Sequence, residues 1–215
     1  MGSRFQVNVQ TEGDQVGPQV HPLNDGGFVV VWRGPPGDSP FLAVYAREYD
    51  GRGDPAGPEI RLDGIRTRGP SVDTLDRSLV VAFDSDDGAA LSIFDLDGAV
   101  RQRLPIGEAL LSIGIHVASM RNDEIILAWD DGRGTPTHAM RYRSDGTPAG
   151  PAFVVDDALA EYPHAPVIGA APHGSYILAW WAEYGCAIYG RKYDRNDVPG
   201  ERFLVVDAIG DSLCE

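Results

Sequence analysis

Lysine is almost missing from this sequence. Lys192 is the sole example, and 18 basic side chains in all face 32 carboxylates. A surface of that sign repels phosphate backbones and anionic lipid, which argues against nucleic-acid binding and peripheral membrane binding. Divalent cations and neutral partners remain compatible with it. Long apolar runs are missing too, so no stretch has the length to span a bilayer, and no leader-type segment opens the chain. Cysteine is scarce: Cys186 and Cys214 allow one bridge and no disulfide framework. Cys214 lies at a terminus, where chains fray, so the compartment is not legible from cysteine.

Catalytic signatures are also lacking. His21, His116, His138, His164 and His173 show no metal-ligand spacing. There is no nucleophile elbow, P-loop or dinucleotide fingerprint. With 32 carboxylates some pair will lie close, but nothing in the sequence selects a pair for glycoside hydrolysis.

What the sequence has in quantity is turn chemistry. Its 26 glycines and 16 prolines are spread along all 215 residues, which leaves little room for long helices and suits short strands. Alignment of the chain on itself gives four apolar segments ending in an aromatic residue: Phe28–Trp32, Leu79–Phe83, Ile125–Trp129 and Tyr176–Trp180. They recur at roughly fifty residues, the period of propeller blades. Polar turns precede them, at Asn24–Gly27, Asp76–Ser78, residues 121–123 and Pro172–Ser175. A third strand follows each anchor and ends at Tyr49, Phe94, Tyr142 or Tyr193, and a fourth closes each unit.

The anchors are apolar on both alternating faces. Phe28, Val30 and Trp32 lie on one side, Val29 and Val31 on the other. A strand of that kind must be covered front and back. Sheets stacked around an axis satisfy this. The sequence therefore predicts an all-β chain: a four-bladed β-propeller with four antiparallel strands per blade. Its units fall at about 10–62, 63–107, 108–156 and 157–207, in a single repeat domain. The segment Phe5–Val9 resembles the fourth strand of a unit, as does Phe203–Val206. The N-terminal copy is expected to fasten the ring, since an uncovered edge invites aggregation.

The stretches Gly13-Asp14-Gln15, Asp25–Trp32 and Tyr45–Asp50, with Tyr189–Asp194 in the fourth unit, carry a resemblance. The pattern is similar to repeats of about fifty residues in large bacterial surface and secreted proteins, often adhesin-like or bearing haemolysin-type calcium-binding repeats. Units two and three depart from it, with Ser92 and Met140 where the others have arginine. The resemblance implies an extracellular or envelope-associated module, possible further copies of the repeat or self-association, and no established chemistry.

Two sets of candidate residues emerge. Asp84, Asp86 and Asp87, then Asp95 and Asp97, then Asp130 and Asp131 cluster oxygen ligands beside glycine, as calcium loops do, although none completes an EF-hand. Hairpin turns demand the same residues. Trp181, Tyr45 and Tyr189 are of the type that stacks on sugar rings, with Arg47 and Arg191 to bind hydroxyls or carboxylates. Trp32, Trp129 and Trp180 occupy the repeating core position. Trp181 falls on the opposite strand face, where the other units carry Arg33, Asp84 and Asp130, and is expected to be partly exposed. The leading reading is a non-catalytic binding module for a glycan or protein. A structural repeat unit and a hydrolase with its site at the channel mouth are the alternatives.

Overall fold

The computed structural model describes residues 4–35, 42–66, 69–85, 88–106, 114–120, 123–130, 136–156, 164–182 and 187–207. Their strands form four sheets of four, each an antiparallel meander in which every strand pairs with the next in sequence. The first sheet comprises β1 (Val16–Pro22), β2 (Phe28–Gly34), β3 (Ala43–Tyr49) and β4 (Ile60–Arg66). The second comprises β5 (Ser71–Leu75), β6 (Ser78–Ser85), β7 (Gly88–Asp95) and β8 (Val100–Pro105). In the third are β9 (Ile115–Met120), β10 (Glu124–Trp129), β11 (His138–Arg143) and β12 (Phe153–Val154). In the fourth are β13 (His164–Ala170), β14 (Tyr176–Ala182), β15 (Ala187–Tyr193) and β16 (Pro199–Asp207). The predicted anchors are the second strands, β2, β6, β10 and β14.

The two apolar faces of each anchor go to different neighbours. Val29 and Val31 pack with Leu79, Val81 and Phe83 between sheets one and two. Val80 and Ala82 pack with Ile125, Leu127 and Trp129 between sheets two and three. Ile126 and Ala128 pack with Tyr176, Leu178 and Trp180 between sheets three and four. Three stacked junctions of one pattern give the layered core of a propeller. Trp129 and Trp180 are buried in it, whereas Trp32 is buried on the other side of the first sheet with Val30, Tyr45 and Tyr49.

Polar bonds stitch the inner strands of successive sheets together. Gln19 Nε2 donates to the Pro70 carbonyl at 2.9 Å and Thr74 Oγ1 to the Pro22 carbonyl at 2.8 Å. The Val117 N–H donates to Ser71 Oγ at 3.0 Å and the Ser119 N–H to Asp73 Oδ2 at 2.7 Å. The Ile168 N–H donates to His116 Nδ1 at 3.3 Å. These bonds hold β1, β5, β9 and β13 in sequence along one axis.

The two ends of the array differ from its interior. Among the described residues, no buried apolar cluster joins the fourth sheet to the first. The fourth sheet has its own fourth strand, β16, paired with β15. The N-terminal segment, expected to fasten the ring, lies instead over the first sheet and outside any strand. Its Val7 carbonyl accepts Arg47 Nη1 at 2.9 Å and Tyr49 Oη at 3.0 Å, and Phe5 meets the Tyr49 ring at 5.4 Å. The Val155 carbonyl, just after β12, accepts Arg191 Nη1 at 2.8 Å and Tyr193 Oη at 3.1 Å. Phe153 meets the Tyr193 ring at 5.4 Å, with the same interplanar angle of 44°. Phe5–Val7 thus stands where the fourth strand of a preceding blade would stand.

Candidate functional site

The predicted residues divide by face. Tyr45 is buried against Trp32, with its hydroxyl donated to the Pro35 carbonyl at 2.8 Å. Burial raises its pKa, so it acts as a neutral donor. Arg47 and Arg191 are spent on the backbone carbonyls of Val7 and Val155. Tyr189 lies on the Trp180 side of the fourth sheet, under the Arg202 guanidinium at 4.3 Å from its ring. Trp181 points the other way and is 53% exposed. The five residues are not brought to one site: Tyr45 and Arg47 belong to the first sheet, the others to the fourth.

The acidic candidates fare similarly. Asp86, Asp87 and Asp131 lie outside the described residues, as does the Asp84 side chain. Asp95 pairs with Arg101, and Asp97 Oδ1 accepts the Ala99 N–H at 2.9 Å, an ordinary turn bond. Asp130 is fully buried, and its Oδ2 accepts the Ala165 N–H at 3.1 Å across the junction of sheets three and four. Among the described residues, no three acidic, histidine or cysteine side chains gather as a metal site would require.

What does converge is a set of turn residues. A cleft of about 710 Å³ is lined by Asn24, Asp76 and Asp123, which occupy the turn between first and second strand in three successive sheets. The repeat itself brings them together, because stacked sheets place equivalent turns side by side at one end of the axis. Asp76 and Asp123 both hold positive φ, 53° and 59°, which aspartate tolerates better than most residues. The cleft then runs outward past Arg101 and Gln102 on β8 to Ser144 and Asp145, the turn after β11. Leu75 and Ile93 contribute apolar lining.

Its chemistry is that of a polar binding surface. Carboxylates, an amide pair and a guanidinium offer donors and acceptors to a ligand rich in hydroxyls or basic groups. The Asp145 carboxylate is held below the usual carboxylate range by the Thr147 hydroxyl and Thr147 N–H. Asp50 and Asp194 are lowered likewise by turn N–H groups, of Asp54 and Arg52 and of Val198 and Asn196. A glycosidase acid needs the opposite shift, a carboxyl kept protonated near neutrality. Sequence reading located these turns yet did not select them. The signal available was their place in the repeat: Asn24, Asp76 and Asp123 all fall in the turn between the first and second strands of a unit.

No family model matches the chain, and no curated protein does. Solved structures do match. The subtype N11 neuraminidase-like protein of A/flat-faced bat/Peru (H18N11) aligns over 89% of this chain and 54% of its own, with a TM-score of 0.62 and 13% identity. The fold is that of a β-propeller. The α-L-arabinofuranosidase Arb93A from Fusarium graminearum aligns over 90% of this chain and 66% of its own, at TM-score 0.56 and 14% identity. The Hadza microbial sialidase Hz136 aligns over 87% and 46%, at 0.53 and 12%. The chain thus spans about half to two-thirds of the length of these structures. At such identities the likeness extends to the fold alone.

Proposed function

We propose that this chain is a non-catalytic binding module of the bacterial exterior, which takes a glycan or protein ligand at the turn-end cleft. One observation carries the reading: Asn24, Asp76 and Asp123 from three consecutive sheets converge with Arg101 and Gln102 around one preformed cleft. Because stacked sheets fix those turns, binding costs little ordering entropy. The downward shift of Asp145 supports a hydrogen-bond acceptor rather than a proton donor. The placement outside the cell rests on the resemblance of the repeat to surface proteins.

The test is a titration against a glycan panel by calorimetry, repeated with Asp123→Ala and Gln102→Ala. Binding that both variants weaken, with no release of product from sialosides or arabinofuranosides, is the expected result. Turnover of either substrate class, or binding indifferent to both substitutions, would overturn the reading.

A second reading, a module that acts through contacts between repeats, is favoured by a separate observation. Trp181, Ile177 and Val167 stand exposed on the outer face of the fourth sheet. Calcium at the acidic turns is compatible with either reading. A thermal melt with calcium against chelator tests it: a rise in Tm is the result that supports a site.

A further inference from the structure

The outer face of the fourth sheet is the same face that is buried at every other junction. In β2, β6 and β10 the positions matching Ile177 and Ala179 are Val29 and Val31, Val80 and Ala82, and Ile126 and Ala128, all nearly or wholly inaccessible. In β14, Ile177 is 40% exposed and Trp181 53%. The fourth strand repeats the pattern. Phe153 and Val155 are covered by Tyr193 and Arg191, whereas Phe203, Leu204, Val205 and Val206 are all exposed. Phe203 pairs with Gly190 as Phe153 pairs with Ala139 and Ile60 with Ala46, so it stands in the same place in the repeat. Among the described residues, no sheet packs over the Phe-containing strand at this end of the array.

The other end holds the complementary half. Arg47 and Tyr49 grip Phe5–Val7 with the geometry Arg191 and Tyr193 use on Phe153–Val155. That grip is filled by a poor substitute. Residues 5–9 belong to no sheet, and Phe5 and Val9 are 52% and 63% exposed.

We propose that the fourth sheet docks on the first sheet of a second copy of this chain, where Phe203–Val206 replaces Phe5–Val7 under Arg47 and Tyr49. This rests on the second reading above, that the chain acts through repeat contacts, and is independent of the cleft. The occupant is a copy of this chain because the chain's own first sheet is the receiving surface, built to hold a strand of this pattern. The N-terminal segment competes at high effective concentration. It supplies a single strand, whereas a second copy supplies a whole sheet face with Ile177 and Trp181.

Area favours closure at both ends. A four-stranded sheet of seven-residue strands offers a face of roughly 19 Å by 23 Å, or about 440 Å². Val30, Trp32 and Tyr45 of the receiving face are already covered in the single chain, so each contact newly hides little beyond the fourth-sheet face. Two contacts together hide about 900 Å², the size of a weak association. A head-to-tail contact made twice closes a ring of two copies and leaves neither end bare.

Sedimentation equilibrium of the full chain tests this, with Phe203→Glu, Trp181→Glu and Phe5→Ser compared under the same conditions and their folding checked by thermal melts. The expected result is a mass of two copies, with Phe203→Glu and Trp181→Glu each weakening association by about tenfold or more, as loss of a central interface aromatic does. Phe5→Ser loosens the competing segment and should tighten association. A monomer at all concentrations would overturn the proposal. So would association that both glutamate variants leave intact, or that Phe5→Ser fails to strengthen. Neither glutamate substitution touches the cleft, so the ligand titration succeeds or fails separately.

Discussion

Arg47 and Arg191 do one job at two places. Each guanidinium donates to the carbonyl of a valine in the segment that lies over its sheet, Val7 or Val155, beside a tyrosine hydroxyl that donates to the same oxygen. A charged hydrogen bond to a buried acceptor contributes about 1.5–3 kcal/mol. Arg191→Ala should therefore cost that much in urea unfolding. Arg47→Ala should cost less, because the N-terminal segment it holds is largely exposed and belongs to no sheet. Equal losses at the two sites would contradict this. Their residue types alone argue for ligand contacts; only the register, with Arg47 paired to Val30 and Arg191 to Leu178, shows which side they face.

His116 sets a pH dependence at the same scale. Burial lowers its pKa, with the nearby Asp73 charge working in the opposite direction. Its Nδ1 accepts the Ile168 N–H, which requires the neutral ring. The unfolded chain takes up this proton near pH 6.5, before the folded chain does. The contribution is complete above that value and is lost as pH falls toward the depressed folded value. Thermal melts between about pH 7 and 5 should show a falling Tm that His116→Asn flattens. The turn carboxylates Asp50, Asp145 and Asp194 are shifted down, so their contribution is lost only in more acidic solution.

Between elements, the third and fourth sheets are joined by charge as well as by apolar packing. Arg141 on β11 is 5% exposed and donates to Asp197 Oδ1 at 2.5 Å and to Glu124 Oε2 at 2.8 Å. Tyr176 Oη donates to the same Asp197 oxygen at 2.7 Å, and burial with this bond drives its pKa far up. Burial works against the Arg141 charge, and the two carboxylates outweigh it. The two carboxylates keep about a quarter of their surface in water, so losing Arg141 costs what charged hydrogen bonds are worth, about 1.5–3 kcal/mol. Arg141→Ala should lower the unfolding free energy by that amount, and a loss under 1 kcal/mol, the scale of an exposed pair, would contradict the arrangement.

The elements themselves were the most legible part of the sequence. β2, β6, β10 and β14 announce themselves because each must be apolar on both faces. The departure of the second unit is explained by the same packing. Where the second unit has Ser92, Arg103 from the neighbouring strand donates to its hydroxyl at 3.2 Å, so the arginine is supplied from next door. The turns were legible as turns, but their convergence was not. Which of them meet depends on how sheets stack, and no single repeat carries that information. Asp95 and Asp97 look like calcium ligands in sequence because a hairpin turn and a calcium loop use the same residues for different reasons.

For the whole molecule, alternation in sequence marks which sheets are interior but not where the array stops. Val29, Val80, Ile126 and Ile177 are alike in sequence and differ only in having, or lacking, a neighbour. A stack of repeats holds together by nearest-neighbour terms, so a sheet with one junction should open more readily than a sheet with two. Among the described residues, sheets two and three each have two packed neighbours and the fourth has one.

Native-state amide exchange, read by peptide in dilute protein, tests that account most directly. Peptides covering β6 and β10 should exchange slowest, and those covering β14 and β16 markedly faster. Protection of β14 equal to that of β10 would mean that its outer face is covered after all, and would contradict an array sealed at three junctions and open at its end.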